Sequence, residues 1–252
     1  MSEHIDKNSQ QESAPPSGES RTESIMRDSL MHAIAERKKV DPYVGLSIGA
    51  QEVNQHLLAA LKDGRGVHVE TLLAILGSLA GYACQVAGRV DYLSGRNKDH
   101  LYAVHTMEDS KGRKYYTGEP IFAPLLSNHY SVYGLVCGQA NQYGCTEYPD
   151  PHELARHVVE SIGTPAFGVP RLPPDHKPAG LPIHFVKSIW PKLLPIMLPF
   201  CEGYEQVPFL LGISLQEILK MSKDILPPKL ALTIIMECAM PMSKIDIDTD
   251  YS

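Results

Sequence analysis

The segment from Val69 to Gly88, VETLLAILGSLAGYACQVAG, constrains the fold most because it is apolar on almost every side of a helix. At about 100° per residue, small residues line one side of this helix and large apolar residues line the opposite side. The small series is Ala74, Gly77, Gly81, Cys84 and Gly88. Only Thr71, Ser78 and Gln85 form a narrow polar strip. A helix of this kind must be buried, so the segment predicts the central element of a helical core.

A second series of small residues lies on a helix predicted over residues 127–142, where Gly134 and Gly138 share one side. This spacing, like that of Gly77 and Gly81, lets two helices approach more closely than the usual distance of about 8–10 Å. Two arrangements satisfy it: the two series pack on each other within one chain, or one of them packs on its own copy in a homodimer. The first arrangement needs no second molecule, so we prefer it.

Composition narrows the class of protein. The chain has 252 residues, of which 43% are hydrophobic and 21% charged, so it can bury a sizeable core. A net charge of −6 without a long basic run argues against nucleic acid or an anionic membrane as the partner. Five cysteines without paired spacing favour a reducing, cytoplasmic compartment. We find no signal-peptide pattern, and the apolar run over residues 181–200 is interrupted by lysines and prolines, so no membrane span is expected.

The order of segments predicts a mainly α, single compact multi-helix domain over residues 23–245. Residues 1–22 are rich in Ser, Glu, Gln and Pro and predict a disordered tail. The turn sequence EDSKG between two β-prone runs predicts one small β-hairpin at about residues 101–117. The Pro/Gly-rich residues 164–182 either wrap the surface or separate two subdomains, and residues 246–252 predict an exposed acidic tail.

Motifs for catalysis are absent from the sequence. His152 and His157 are five residues apart, so they cannot share one helix face as the ligands of a zinc protease must. Neither a phosphate-binding glycine loop nor a hydrolase nucleophile elbow is present. No His, Cys and carboxylate cluster has ligand spacing. We therefore expect neither a metal nor a cofactor.

Polar residues inside apolar helices mark a candidate pocket between helices near Gln85, Gln139 and Glu237. Glu237 lies within the run LALTIIMECAM, so a buried carboxylate there needs a hydrogen-bond partner or a raised pKa. The candidate hydrogen-bond partners of the Glu237 carboxylate are Arg89, Gln85 and the tyrosines. We favour a structural role for this glutamate over a functional one.

Two function hypotheses remain open. In the first, the protein is a cytosolic helical scaffold or regulatory protein that binds an unknown protein partner through its tail and hairpin. In the second, it is an enzyme or a small-molecule-binding protein that uses the pocket near Gln85. An isolated hairpin is marginally stable and exposes its edges, so we also expect a homodimer formed through the hairpin.

Overall fold

The computed structural model describes residues 21–95, 102–249 and 251 and confirms the mainly α fold with one small hairpin. The hairpin consists of β1 His105–Glu108 and β2 Lys114–Thr117. The helices are α1 Arg21–Arg37, α2 Val44–Leu61, α3 Val69–Leu93, α4 Glu119–Phe122, α5 Val132–Asn141, α6 Pro151–Ser161, α7 Pro182–Met197, α8 Val207–Ser222 and α9 Pro228–Met242. A short π-helical turn, Ala123–Ser127, continues α4.

The chain divides into two compact units, of which the first ends at Val44 and the second begins at Gly45. The predicted domain over residues 23–245 spans this division. Of the predicted tail over residues 1–22, residues 1–20 lie outside the described part of the chain, and Arg21 begins α1. The remaining helices and the hairpin belong to the second unit, to which all sites discussed below are confined.

Helix α3 is the central helix of the second unit, as predicted, and residues 71–85 are all buried. Its small side packs against the backbone of α9: a Cβ atom added at Gly77 would lie 2.6 Å from the carbonyl oxygen of Ile235. A Cβ atom added at Gly88 would lie 2.5 Å from the carbonyl oxygen of Pro120 in α4. By length and composition α3 is the one described helix that is apolar enough to cross a membrane. However, 94% of its most apolar window is buried within the protein, which is typical of a core helix.

The two series of small residues do not pack on each other within the chain. A Cβ atom at Gly138 would have no described atom within 4 Å, and one at Gly134 would meet only its own turn, with Ser131 Oγ at 3.1 Å. Helix α5 instead buries the opposite residues Val136 and Ala140. The side of α3 that carries Gly77 and Gly81 is covered by α9, and Gly88 on the same side is covered by α4. The sequence did not indicate this pairing, because α9 is itself apolar on most sides.

The hairpin is antiparallel, with Met107 opposite Tyr115 and Thr106 opposite Tyr116. Strand β1 begins at His105, four residues later than the predicted start at residue 101, which lies outside the described residues. The Pro/Gly-rich residues 164–182 do not separate subdomains. They run beside α9, α6 and α3 and are tied to each of these helices by the contacts described below.

The segment after α9 is docked on the hairpin rather than forming an exposed tail. The Tyr116 N–H donates a hydrogen bond to the Lys244 carbonyl at 2.8 Å, and Ile245 forms a β-bridge with Tyr115. Ile245 is fully buried, and the Tyr116 hydroxyl donates to the Asp246 carboxylate at 2.9 Å. The acidic composition predicted an exposed tail over residues 246–252, whereas Ile245 pairs with β2 and the side chains of Asp246 and Tyr251 are hydrogen-bonded to the hairpin.

Candidate functional site

A cavity of about 290 Å³ lies where residues 164–169, the first turns of α7 and the end of α9 meet. We call it the Phe167 cavity. Its apolar wall is formed by Pro165, Phe167, Val169, Leu181, Ile183 and Met242. Its polar lining consists of Thr164, His184, Lys187 and Tyr251. A largely apolar wall with a few polar groups is the composition of small-molecule sites in proteins.

The chain that forms one wall is fixed by Arg171. The Arg171 main-chain N–H and side-chain Nε donate to the Glu237 carboxylate of α9, at 3.1 and 3.0 Å. Its Nη1 donates to Glu153 of α6 at 2.6 Å. Hydrogen bonds from the Arg171 guanidinium lower the pKa of Glu153, and hydrogen bonds to Glu153 and Glu237 raise the pKa of Arg171. Arg171 therefore ties residues 164–169 to two helices.

The far end of the same segment is tied to the start of α3. The Ala179 N–H donates to Thr71 Oγ1 at 2.9 Å, and His176 Nδ1 lies 2.9 Å from Glu70 Oε1. These contacts hold the connection into α7, whose first turns supply the opposite wall of the cavity. Thr71 belongs to the narrow polar strip of α3, so this strip serves to anchor the Pro/Gly-rich segment.

The aromatic part of the wall is preorganised. The Phe167 ring meets Tyr115 edge to face at 5.1 Å and stacks with Tyr251 at 6.0 Å. The Tyr251 hydroxyl accepts a hydrogen bond from the Asp246 N–H at 2.7 Å and donates to the Lys114 carbonyl. Burial raises the pKa of Tyr251, so this side chain remains neutral. Since its hydroxyl already accepts one hydrogen bond and donates another, Tyr251 contributes its ring to the wall and does not offer its hydroxyl to a ligand.

Two basic side chains remain to contact a ligand. Lys187 Nζ donates one hydrogen bond to the Thr249 carbonyl at 2.9 Å, which leaves two of its protons. The imidazole of His184 has no partner among the described residues. Because they are three residues apart on α7, both side chains lie on one helix face. The mouth of the cavity is therefore basic, and no carboxylate or thiol lines the described part of its wall.

The three residues of the predicted pocket lie in separate environments. Glu237 lines only a cleft of about 10 Å³ beside Arg171. Gln139 donates to the Tyr143 hydroxyl at 2.8 Å. Gln85 is fully buried, and neither its amide oxygen nor its nitrogen has a partner in the described structure. Sequence periodicity identified these residues as polar within apolar helices but did not indicate which helix faces meet.

The partner of Glu237 differs from those that the sequence suggested. Arg171 binds this carboxylate, not Arg89, Gln85 or a tyrosine. Arg171 lies in a segment without periodicity, so no pattern linked it to α9. His184 and Lys187 were also missed, although their spacing on one face of an apolar helix was a usable signal.

A buried lysine is a further polar feature that sequence reasoning missed. Lys244 is 3% exposed, and its Nζ lies 3.7 Å from the centre of the Phe122 ring without a hydrogen-bond acceptor among residues described here. Burial lowers the pKa of Lys244 to about 7. Cys84 faces this amine, and burial raises the pKa of its thiol. No described cavity reaches this pair, so we regard it as part of the core.

A polar cluster at the start of α3 is the other candidate site. Glu70 lies between His176 and His68, whose Nε2 is 3.3 Å from Glu70 Oε2. Two surface grooves of about 380 and 430 Å³ adjoin His68 and contain Asp63 and Arg65. Both grooves are more open to solvent than the Phe167 cavity and are lined by the charged side chains of Asp63 and Arg65, so they enclose a small molecule less well. Over residues 21–95, 102–249 and 251, no three His, Cys, Asp or Glu side chains are grouped to hold a metal ion.

Comparison of the chain with protein families, with curated proteins and with solved structures finds no match.

Proposed function

We propose that the protein binds a small amphipathic anion in the Phe167 cavity. The observation that carries this proposal is the combination of an apolar wall with two basic side chains, His184 and Lys187, at its mouth. An apolar ring or chain contacts Phe167 and Met242, and a carboxylate is held by the two basic groups. The described lining contains no carboxylate and no thiol, and Lys187 Nζ is hydrogen-bonded to the Thr249 carbonyl, so the geometry favours binding of an anion.

The size and the electrostatics of the cavity support the same ligand class. A volume of about 290 Å³ is close to the lower limit of ligand pockets, which favours a single ring or a short chain. The side chains of Leu181, Ile183 and His184 come from the first turn of α7, whose partial positive charge also favours an anion. A charge-assisted hydrogen bond from Lys187 is shorter and stronger than a neutral one.

Isothermal titration calorimetry with phenylacetate and with octanoate tests the proposal. Phenylacetamide, the uncharged analogue of phenylacetate, is the control ligand. We expect both carboxylates to bind and the amide to bind at least about tenfold more weakly, since a hydrogen bond to a charged group contributes about 1.5–3 kcal/mol. Lys187→Met removes the ammonium group, one of the two basic groups at the mouth, and weakens carboxylate binding by a similar factor.

Lys192→Met is the matched control, because Lys192 is exposed on α7 but does not line the cavity. It leaves carboxylate binding unchanged. A second variant, Val169→Trp, fills the cavity from its rim and abolishes binding of carboxylate and amide alike. Equal binding of phenylacetate and phenylacetamide contradicts the proposed ligand class, and absence of all binding contradicts the site.

A further inference from the structure

The outer edge of β1 carries main-chain groups that point away from the hairpin. The Asp109 N–H donates to the Arg113 carbonyl at 3.1 Å, so Asp109 faces β2. In an antiparallel pair this orientation alternates from residue to residue, so the N–H and C=O groups of Thr106 and Glu108 face outward. The Tyr116 N–H, opposite Thr106, points outward in the same way and reaches Lys244.

The two outer edges of the hairpin differ in whether another segment of the chain covers them. The segment after α9 covers the outer edge of β2. Within the described ranges of the chain, no hydrogen bond reaches the outward groups of Thr106 and Glu108, and the residues from His105 to Glu108 are exposed. An exposed edge strand is a template for pairing with another strand unless something covers it.

A groove of about 270 Å³ lies beside this edge. The groove is lined by Arg89, Tyr92, Leu93, Val104, Thr106 and Tyr116. Leu93 is 76% exposed, and the Arg89 guanidinium lies 4.2 Å from the centre of the Tyr116 ring. Arg89 has no carboxylate partner within the described structure. The groove therefore offers an apolar surface and, next to the open edge, a guanidinium that is not paired directly with a carboxylate of the described residues.

We infer that β1 pairs with β1 of a second copy of this chain, antiparallel about a two-fold axis at Met107. In this register Thr106 of each copy lies opposite Glu108 of the other copy, so the outward main-chain groups of both strands are satisfied. The two Met107 side chains meet on the axis. The inference is independent of ligand binding in the Phe167 cavity.

Charge complementarity favours a second copy over an unrelated strand. Residues two apart on a strand share one face, so Glu108 of the second copy lies on the face that carries Thr106 and the Arg89 groove. Its carboxylate approaches the Arg89 guanidinium, and two-fold symmetry repeats the contact. The same four-residue strand therefore supplies the backbone partner and the counter-charge.

Analytical ultracentrifugation at micromolar concentrations tests this inference with two charge reversals. Glu108→Arg places like charges at both contacts, and so does Arg89→Glu. Each variant alone raises the dimer dissociation constant at least about tenfold, because like charges across an interface suppress association. An equimolar mixture of the two variants restores both contacts and recovers dimers as heterodimers. Asp224→Arg, an equal change of charge at an exposed site away from the hairpin, leaves the dimer intact.

Thr106→Pro tests the backbone pairing. The Thr106 N–H does not bond β2, so proline removes an intermolecular donor while sparing the ladder of the hairpin. We expect a folded monomer, with circular dichroism of the wild-type shape. A wild type that is monomeric at all concentrations overturns the inference. So do variants that dimerise as tightly as the wild type, or a mixture of the two charge reversals that does not recover dimers.

Discussion

Gly81 of α3 lies directly against the backbone of Ala239 of α9, where a Cβ atom on Gly81 would overlap the Ala239 carbonyl group. The contact explains why a helix with 25 residues and three glycines forms the centre of the fold. Each glycine lowers the helix propensity, and the close approach of α9 at Gly77 and Gly81 and of α4 at Gly88 offsets this loss through packing.

Gly81→Ala is expected to destabilise the protein, although alanine favours an isolated helix by up to about 1 kcal/mol. Overpacking against α9 costs on the order of 1–3 kcal/mol or more. Gly138→Ala is the matched control, since a Cβ atom there has no described atom within 4 Å and the substitution should stabilise. Urea unfolding followed by circular dichroism measures both. A Gly81→Ala protein as stable as the wild type contradicts the α3–α9 packing.

Gln85→Met is expected to stabilise the protein. The Gln85 side chain is fully buried, and both polar atoms of its amide lack a partner in the described structure. Replacing an unsatisfied polar group by an apolar one of similar shape removes a desolvation penalty of about 1–3 kcal/mol. A higher urea midpoint is the expected result, and a loss of stability shows that the amide is hydrogen-bonded in solution.

Lys244→Met is expected to change how stability depends on pH. The pKa of Lys244 is about 7 in the folded protein and 10.5 without burial. Between these values the unfolded chain holds more protons, so the free energy of unfolding rises with pH. Methionine abolishes this contribution, so it stabilises the protein most at and below about pH 7 and less as the pH rises towards 10.5. The facing Cys84 thiol stays protonated because burial raises its pKa.

Urea unfolding at several pH values from 7 to 9 compares the two proteins. The slope of stability against pH should be smaller for Lys244→Met than for the wild type. Identical slopes show that the Lys244 amine is solvated or paired in solution, and they contradict its burial.

Arg171→Met is expected to destabilise the protein more than removal of an exposed ion pair does. It leaves the Glu237 carboxylate, which is 7% exposed, without its guanidinium partner. The Arg171 side chain is itself 37% exposed, so the expected loss of stability lies below the roughly 3–5 kcal/mol of a fully buried pair but above that of an exposed pair. Lys229→Met is the control, because Lys229 and Glu147 form a solvent-exposed pair, and exposed ion pairs contribute little to stability. Urea unfolding measures both variants. If the two substitutions lower the free energy of unfolding by the same amount, Arg171 does not anchor the wall of the cavity.

How much of the structure can be predicted from the sequence depends on how far apart in the sequence the interacting residues lie. The burial of α3 and the presence of a hairpin depend on local periodicity and turn residues, and both were predicted. The partner of Gly81 and the clamp between Arg171 and Glu237 join residues that are distant in the sequence. Periodicity identifies an apolar face but does not name the face that covers it. The cavity was missed for the same reason, since its walls come from three separate segments.

The most direct test of anion binding at the Phe167 cavity is a methyl NMR titration with phenylacetate. Met242 and Ile183 line the cavity, whereas Met107 lies on β1. Binding at this cavity predicts saturable shifts of the Met242 and Ile183 methyl signals, unchanged Met107 signals, and much weaker shifts with phenylacetamide. Shifts that spare Met242 and Ile183, or that are the same for the acid and the amide, contradict it.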